Sequence, residues 1–246
     1  MLGALLSMPR EAARTELLDH PDGSRGELAE CLADIARINR IGPTHTLLHL
    51  IAPFFERLTA QGRTDPLRVL DVGTGSADIP VALAQWARAR GRRVSVLALD
   101  VQPEVIACAR AEARGFPEVR LVAGEALSPP VRPGGVDLAI CSLMLHHLTE
   151  GAVVRLLRLM ASVARLGFVV SDLRRSRAAY AAAWLLTRAI SRNRMTRHDG
   201  PLSVRRAYTR AELARLSAAA GLPGVRWQEA IAFRTVGVYE REPAPG

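Results

Sequence analysis

Val69-Leu70-Asp71-Val72-Gly73-Thr74-Gly75-Ser76-Ala77-Asp78-Ile79-Pro80 joins an apolar run to two closely spaced glycines and a helix start. Val69, Leu70 and Val72 have the character of a buried strand. Gly73 and Gly75 let the backbone turn tightly and let a ligand approach main-chain atoms. Asp78 is placed to cap the next helix, and Pro80 is tolerated in that helix's first turn. A strand, a Gly-x-Gly turn and a helix together form a site for a nucleotide-like ligand.

On the C-terminal side of this stretch, strands and helices alternate. Leu67–Val72 is the first expected strand. Ile79, Leu83, Trp86 and Ala87 have helical spacing, and Gly91 ends that helix. Val94–Asp100, Val119–Ala123, Val136–Cys141 and Leu166–Ser171 are the next strands. A helix opens at Pro103 and stops before Gly115. Another presents Val153, Leu156, Leu157, Met160 and Val163 on one face. Repeated strand–helix units imply an α/β, doubly wound parallel sheet with right-handed crossovers.

On the N-terminal side, Glu27–Asn39 and Thr44–Leu58 have helical apolar spacing, broken by Ile41-Gly42-Pro43. They read as a helical cap over residues 1–63, ahead of a main domain over 64–246. After the fifth strand the rhythm stops. Residues 172–210 read as a lid-like insert: a helix with Tyr180, Ala183, Trp184 and Ile190 on one side, then an arginine-rich loop holding Arg197-His198-Asp199-Gly200-Pro201. Thr209-Arg210-Ala211-Glu212 is a capping box that starts a new helix. Val225–Ile231 and Phe233–Tyr239 are two closing strands, and Glu240–Gly246 is a loose tail.

Composition excludes several chemistries. The net charge is +9, and all 33 basic residues are arginine. Without lysine there is no lysine Schiff base and no P-loop lysine. The three cysteines, Cys31, Cys108 and Cys141, lack metal-ligand spacing, so neither a structural zinc nor any other metal site is expected. Met1–Leu6 has no basic leader. The apolar run between Arg177 and Arg188 is about half the length of a membrane span. A soluble cytoplasmic protein is expected.

Further residues narrow the ligand. A dinucleotide site wants a third small residue where Asp78 stands, so a ligand without phosphates suits the loop better. Asp100, at the end of the second strand, is placed to accept ribose hydroxyls. Gly124-Glu125-Ala126, after the third strand, is placed to read an adenine edge. The combination of Asp71-Val72-Gly73-Thr74-Gly75, Leu97-Ala98-Leu99-Asp100, Gly124-Glu125-Ala126 and Val136-Asp137-Leu138-Ala139-Ile140-Cys141-Ser142 resembles the class I S-adenosylmethionine-dependent methyltransferases. Ser142-Leu143-Met144-Leu145-His146-His147-Leu148 is similar to small-molecule members related to the quinone-biosynthesis enzymes.

The resemblance implies a Rossmann-like, mostly parallel seven-stranded sheet with an antiparallel last strand. It implies S-adenosylmethionine as cofactor. Asp71, Gly73, Thr74 and Gly75 would hold its methionine end, Asp100 and Val101 the ribose side, Glu125 and Ala126 the adenine, with Ser142 nearby. Ser76 departs from the family's third glycine and Glu125 from its usual aspartate.

Such a reaction needs an acceptor aligned for in-line displacement and its proton removed. His146, just past the fourth strand, is the first candidate base. His147 is the second and is expected to face elsewhere; His198 reads as a solvent-exposed loop residue. Asn39-Arg40 is a further candidate to reach the cofactor. The insert has ten arginines and two acids. It reads as a solvated face, as a lid for an anionic or aromatic small-molecule acceptor, or as peripheral contact with an acidic membrane.

The expectation is a small-molecule methyltransferase of secondary metabolism that O-methylates a hydroxylated aromatic or polyketide-like compound. C-methylation of a phenolic or quinol ring is the alternative. An RNA or protein methyltransferase stands behind these, nucleic acid being a poor fit, and a degenerate S-adenosylmethionine-binding regulatory subunit is the non-enzyme alternative. A homodimer is compatible with the sequence, which does not fix oligomeric state.

Overall fold

A computed structural model describes residues 8–19 and 24–242. The expectations for Met1–Leu6 and for the last four residues of the tail lie outside them. Two helices, α1 (Arg25–Arg40) and α2 (Pro43–Ala60), come first. The alternating core follows: β1 (Leu67–Val72), α3 (Asp78–Arg88), β2 (Val94–Asp100), α4 (Pro103–Glu112), β3 (Val119–Ala123), β4 (Val136–Ser142), α5 (Glu150–Val163) and β5 (Ala164–Leu173). Then come α6 (Arg177–Ile190), α7 (Arg194–Arg206), α8 (Arg210–Ala219), β6 (Arg226–Ala230) and β7 (Arg234–Glu240).

The strands form one seven-stranded sheet in the order β3-β2-β1-β4-β5-β7-β6. All neighbouring pairs from β3 to β5 are parallel, and β7 runs antiparallel to both β5 and β6. The strand order reverses between β1 and β4, where Val72 pairs with Cys141. Ligands of open α/β sheets bind beyond the strand ends at such a point.

Apolar alternation in β1 feeds two cores. Leu67 and Val69 join Ile51, Phe54 and Phe55 of α2 and Leu83 of α3. Leu70 and Val72 join Val153, Leu156 and Met160 of α5, with Leu213, Leu216 and Trp227. A third cluster joins Leu28, Cys31 and Leu32 of α1 to Val105 of α4 and Met195 of α7. The N-terminal helices and the region after β5 therefore pack on one another, and α2 also lies against the sheet.

Three local expectations need correction. Asp78 is not the N-cap of α3: Ala77 is, in the left-handed region at φ 63°, and Asp78 is the first helical residue. The arginine-rich loop is helix α7, because Met195, Thr196, Leu202 and Val204 find buried partners despite Gly200 and Pro201. Tertiary burial outweighs the poor local propensity of that sequence. Glu240 belongs to β7 rather than to a loose tail. The Thr209–Glu212 capping box forms as expected. Among the described residues, no helix is long and apolar enough to cross a membrane.

Candidate active site

The glycine loop is pinned from below. The backbone N–H groups of Gly73 and Thr74 both donate to Leu99 O of β2, each at 2.9 Å. Gly73 has φ 72° and Gly75 φ 56°. A side chain at Gly73 would place its Cβ 2.9 Å from Met144 Sδ, whereas the space beside Gly75 is open. The loop thus touches the segment after β4 on one side and leaves main chain accessible on the other.

Asp100 is oriented by the loop itself. Its Oδ2 accepts from Gly75 N at 3.0 Å and its Oδ1 from Gln102 N at 3.2 Å. Burial holds its pKa above the usual carboxylate value. The neighbouring Val101 is 52% exposed, an apolar surface next to a fixed acid. Asp71 is deeply buried at the end of β1, and burial pushes its pKa up to about 7.

Asp78 does structural work that its sequence neighbourhood conceals. Asn39 Nδ2 donates to Asp78 Oδ2 at 2.9 Å, and Arg234 Nη2 donates to Asn39 Oδ1 at 2.8 Å. Burial lowers the Arg234 pKa to about 10 against the opposing fields of Asp172 and Asp78. Asn39 is therefore drawn into the site. Arg40 is not: it turns outward to Glu112 at 2.9 Å.

The histidine turn follows β4. Leu143 takes φ 54°, a conformation costly for a branched residue and consistent with a functional bend. A 3₁₀ turn, Leu145–His147, then presents both imidazoles. His146 is 3% exposed, and its Nδ1 lies 2.6 Å from Asp172 Oδ1 on β5. Burial alone would raise the Asp172 pKa, but the charge and hydrogen bond of His146, with the Leu173 N–H and Arg234, together hold it below the usual carboxylate value. His147 does not face elsewhere. Its ring centroid is 4.2 Å from that of His146, and its Nδ1 lies 2.6 Å from Asp19 Oδ1. Burial disfavours the His147 cation, yet the Asp19 hydrogen bond and the Glu16 and Asp19 charges leave its pKa above the usual histidine value.

The N-terminal segment supplies residues that sequence reasoning missed. Glu16 lies 3.7 Å from His146 Nε2 and 3.8 Å from His147 Nε2. Arg206 Nη1 bonds Asp19 at 2.8 Å, and Asp199 accepts from the N–H groups of Leu17 and Leu18 at 2.8 and 2.9 Å. Glu-x-x-Asp at 16–19 bonds itself through Glu16 N to Asp19 Oδ2 at 3.0 Å, but the histidines it faces are more than 120 residues away and leave no local signal.

The other expected positions fall as follows. Thr74 is buried within the loop and Ser142 is half-buried at the end of β4. Glu125 is exposed in the loop after β3 and Ala126 is half-buried. His198 lies on α7 and bonds Asp199 at 2.7 Å, away from the other two imidazoles' direct contacts. Trp184 remains 43% exposed, while the buried positions of α6 are Ala179 and Thr187. Cys141 is a buried strand residue whose thiol burial holds well above its usual pKa.

Residues 69–167, which run from within β1 into β5 and hold the glycine loop and the histidine turn, match the family model of a methyltransferase domain. The match covers less than half of the chain. The same fold recurs in solved structures. A candidate O-methyltransferase from Nostoc punctiforme is similar at 16% identity with a TM-score of 0.62, over 87% of this chain and 60% of its own. Human N-acetylserotonin methyltransferase in complex with SAM has 16% identity and a TM-score of 0.62, over 89% of this chain and 56% of its own. Magnesium protoporphyrin IX methyltransferase from Synechocystis with bound SAH has 16% identity and a TM-score of 0.55, over 84% and 86%. At these identities the likeness is one of fold, and the chain spans 60% of the length of the first. No curated protein matches the sequence.

Proposed function

We propose that this chain is an S-adenosylmethionine-dependent methyltransferase that O-methylates a small hydroxylated aromatic or polyketide-like acceptor. The observation that carries the reading is one of adjacency. Asp100, fixed by Gly75 N, and the His146–Asp172 pair open toward the same end of the sheet, across the β1/β4 reversal. The residues fit the cofactor. Gly75 leaves main chain open, Asp100 keeps acceptor capacity beyond its two backbone bonds, and Val101 offers an apolar face.

Bound S-adenosylmethionine supplies a methyl already activated by its sulfonium. What remains for the protein is positioning, exclusion of water and handling of the acceptor proton. Asp100 orients the ribose side, and the Gly73–Gly75 backbone, with Asp71 below it, receives the methionine end. Glu125 and Ala126 are assigned to the adenine. Asp172 holds His146 Nδ1, which leaves Nε2 as the atom that takes a hydroxyl proton. His147 lies against it and shares Glu16. C-methylation of a phenolic ring begins from the same oxyanion and is the second reading.

Titration calorimetry with S-adenosylmethionine tests the cofactor assignment. Asp100→Ala is expected to weaken binding by roughly 2–4 kcal/mol, the worth of one or two charge-assisted hydrogen bonds; unchanged affinity removes Asp100 from the site. Labelled-methyl transfer against phenolic acids, quinols and polyketide intermediates tests the acceptor class. His146→Ala is expected to lower turnover at neutral pH and leave cofactor affinity unchanged.

A further inference from the structure

We propose that Glu16, His146 and His147 bind a divalent first-row transition ion of the zinc class. The three side chains offer one carboxylate oxygen and two imidazole nitrogens that all lie within 4.8 Å of one another. His146 Nε2 is 3.7 Å from Glu16 Oε1 and His147 Nε2 is 3.8 Å from Glu16 Oε2. Donors each about 2.0–2.1 Å from one ion span those separations at an angle of about 125–145°, so a small inward shift of the side chains would bring them to tetrahedral angles.

The surroundings orient all three groups. Asp172 holds His146 Nδ1 and Asp19 holds His147 Nδ1, both at 2.6 Å. That is the arrangement in which a carboxylate fixes the imidazole and raises the basicity of its other nitrogen toward a metal. Ser203 Oγ donates to Glu16 Oε2 at 2.8 Å. Glu16 Oε1, on a residue only 4% exposed, has no hydrogen-bond partner. A buried carboxylate oxygen without a partner is costly unless a ligand completes it.

One contact opposes a cation. Arg206 Nη1 lies 3.6 Å from Glu16 Oε1. It is already committed to Asp19 Oδ2 at 2.8 Å. Glu16, Asp19 and Asp172 lie against the two imidazoles, and Arg206, Arg10 and Arg234 stand beside them, so a divalent ion would share the site's carboxylate charge with these guanidinium groups. Two imidazoles and one carboxylate select zinc, cobalt, nickel or iron(II) over magnesium and calcium. Three protein ligands leave at least one position open, as in catalytic rather than structural sites.

Under the methyltransferase reading, on which this extension rests, a bound ion would hold the acceptor oxygen at the open position and lower its hydroxyl pKa so that the proton passes to water, His146 Nε2 then serving as a ligand rather than as the base. Metal binding itself is independent of that reading.

The test uses the full chain, stripped of metal, titrated with zinc alone by calorimetry and with cobalt(II) by electronic absorption. The expected result is one ion per chain with a ligand-field spectrum of nitrogen and oxygen donors and no thiolate charge transfer. Glu16→Gln and His147→Gln are expected to abolish it, and Asp19→Asn to weaken it about 10- to 100-fold. The exposed His45–His49 pair, with ring centroids 4.4 Å apart on α2, is the obvious adventitious site. His45→Gln with His49→Gln is expected to leave the tight site intact. Circular dichroism checks that each variant is folded; if none is, the wild-type cobalt spectrum decides. No stoichiometric binding, binding that survives both ligand variants, binding lost with His45 and His49, or a thiolate spectrum overturns the proposal. S-adenosylmethionine titration of the same apo-protein is read separately, so failure of one assignment is distinguishable from failure of the other.

Discussion

Asp71 shows what a single buried group does to this protein. Burial raises its pKa from 3.8 to about 7, so the fold favours the neutral acid. The resulting stabilisation is fully present below about pH 4 and is lost as pH rises to and through about 7, because the unfolded chain ionises this carboxyl across that window while the buried one stays neutral. A shift of that size corresponds to roughly 4 kcal/mol over the window. Asp71→Asn keeps the shape without the titration. Urea unfolding at pH 4.5 and 7.5 is expected to show the wild type losing stability relative to the variant at the higher pH. Parallel pH profiles would remove the cause given for Asp71.

At this same scale the sequence was legible where chemistry is local. Gly73, Gly75 and Asp100 announce a nucleotide-like site because strand, turn and acid follow one another along the chain. Asp78 misled because a helix start usually needs an acid as its cap, whereas Ala77 takes that place and Asp78 bonds Asn39. The orientation of His147 was not legible, since Asp19, which turns it, lies 128 residues away.

Among the elements, the strands were the most readable. The parallel ones are mostly apolar runs bounded by turn residues, and burial on both faces of β1 and β4 leaves little freedom. Helix α7 was the least readable, because Asp-Gly-Pro at 199–201 signals a break. Its reason for being helical is its packing on α1 and α6. At the α6–α7 contact, a Cβ on Gly200 would lie 2.5 Å from Thr187 Cγ2. Thr187 is held there by Oγ1 donating to Ala183 O at 2.8 Å. Gly200→Ala is therefore expected to destabilise by about 1–3 kcal/mol, although alanine in a helix is ordinarily worth about 1 kcal/mol over glycine. Thr187→Ser, which deletes the offending methyl, is expected to restore most of the loss in thermal melts of the double variant. A melting temperature that rises with Gly200→Ala alone would refute the close contact.

Across the whole molecule, the segment 8–19 acts as a strap. Arg10 donates to Arg206 O and Leu148 O, Glu11 N to Arg205 O, and Asp199 receives Leu17 N and Leu18 N. It ties α7 to the histidine turn, and it brings Glu16 and Asp19 to the site. Removing a buried carboxylate that accepts two backbone bonds is costly. Asp199→Ala is expected to cost roughly 2–4 kcal/mol and to speed tryptic cleavage at Arg10 and Arg14. Cleavage at wild-type rate would show that the strap is held by its other bonds. The alternation of strands and helices was accessible from periodicity, but this strap was not: it has too short a regular stretch to read, and the bonds that dock it reach residues far along the chain.

The chain Asp78–Asn39–Arg234 has a consequence in time. Asn39 bonds a residue 39 positions later in the chain, and Arg234 bonds Asn39 across 195 positions. The acid beside the glycine loop is thus positioned by the hairpin of β6 and β7, which leaves a ribosome after the other five strands of the sheet. A growing chain can build most of its parallel sheet before this lock exists. Competence to hold a ligand at the loop should then arrive late, as a final docking event with high contact order. In refolding experiments the β-sheet signal is expected to return before ligand affinity, with Arg234→Leu widening the interval between them.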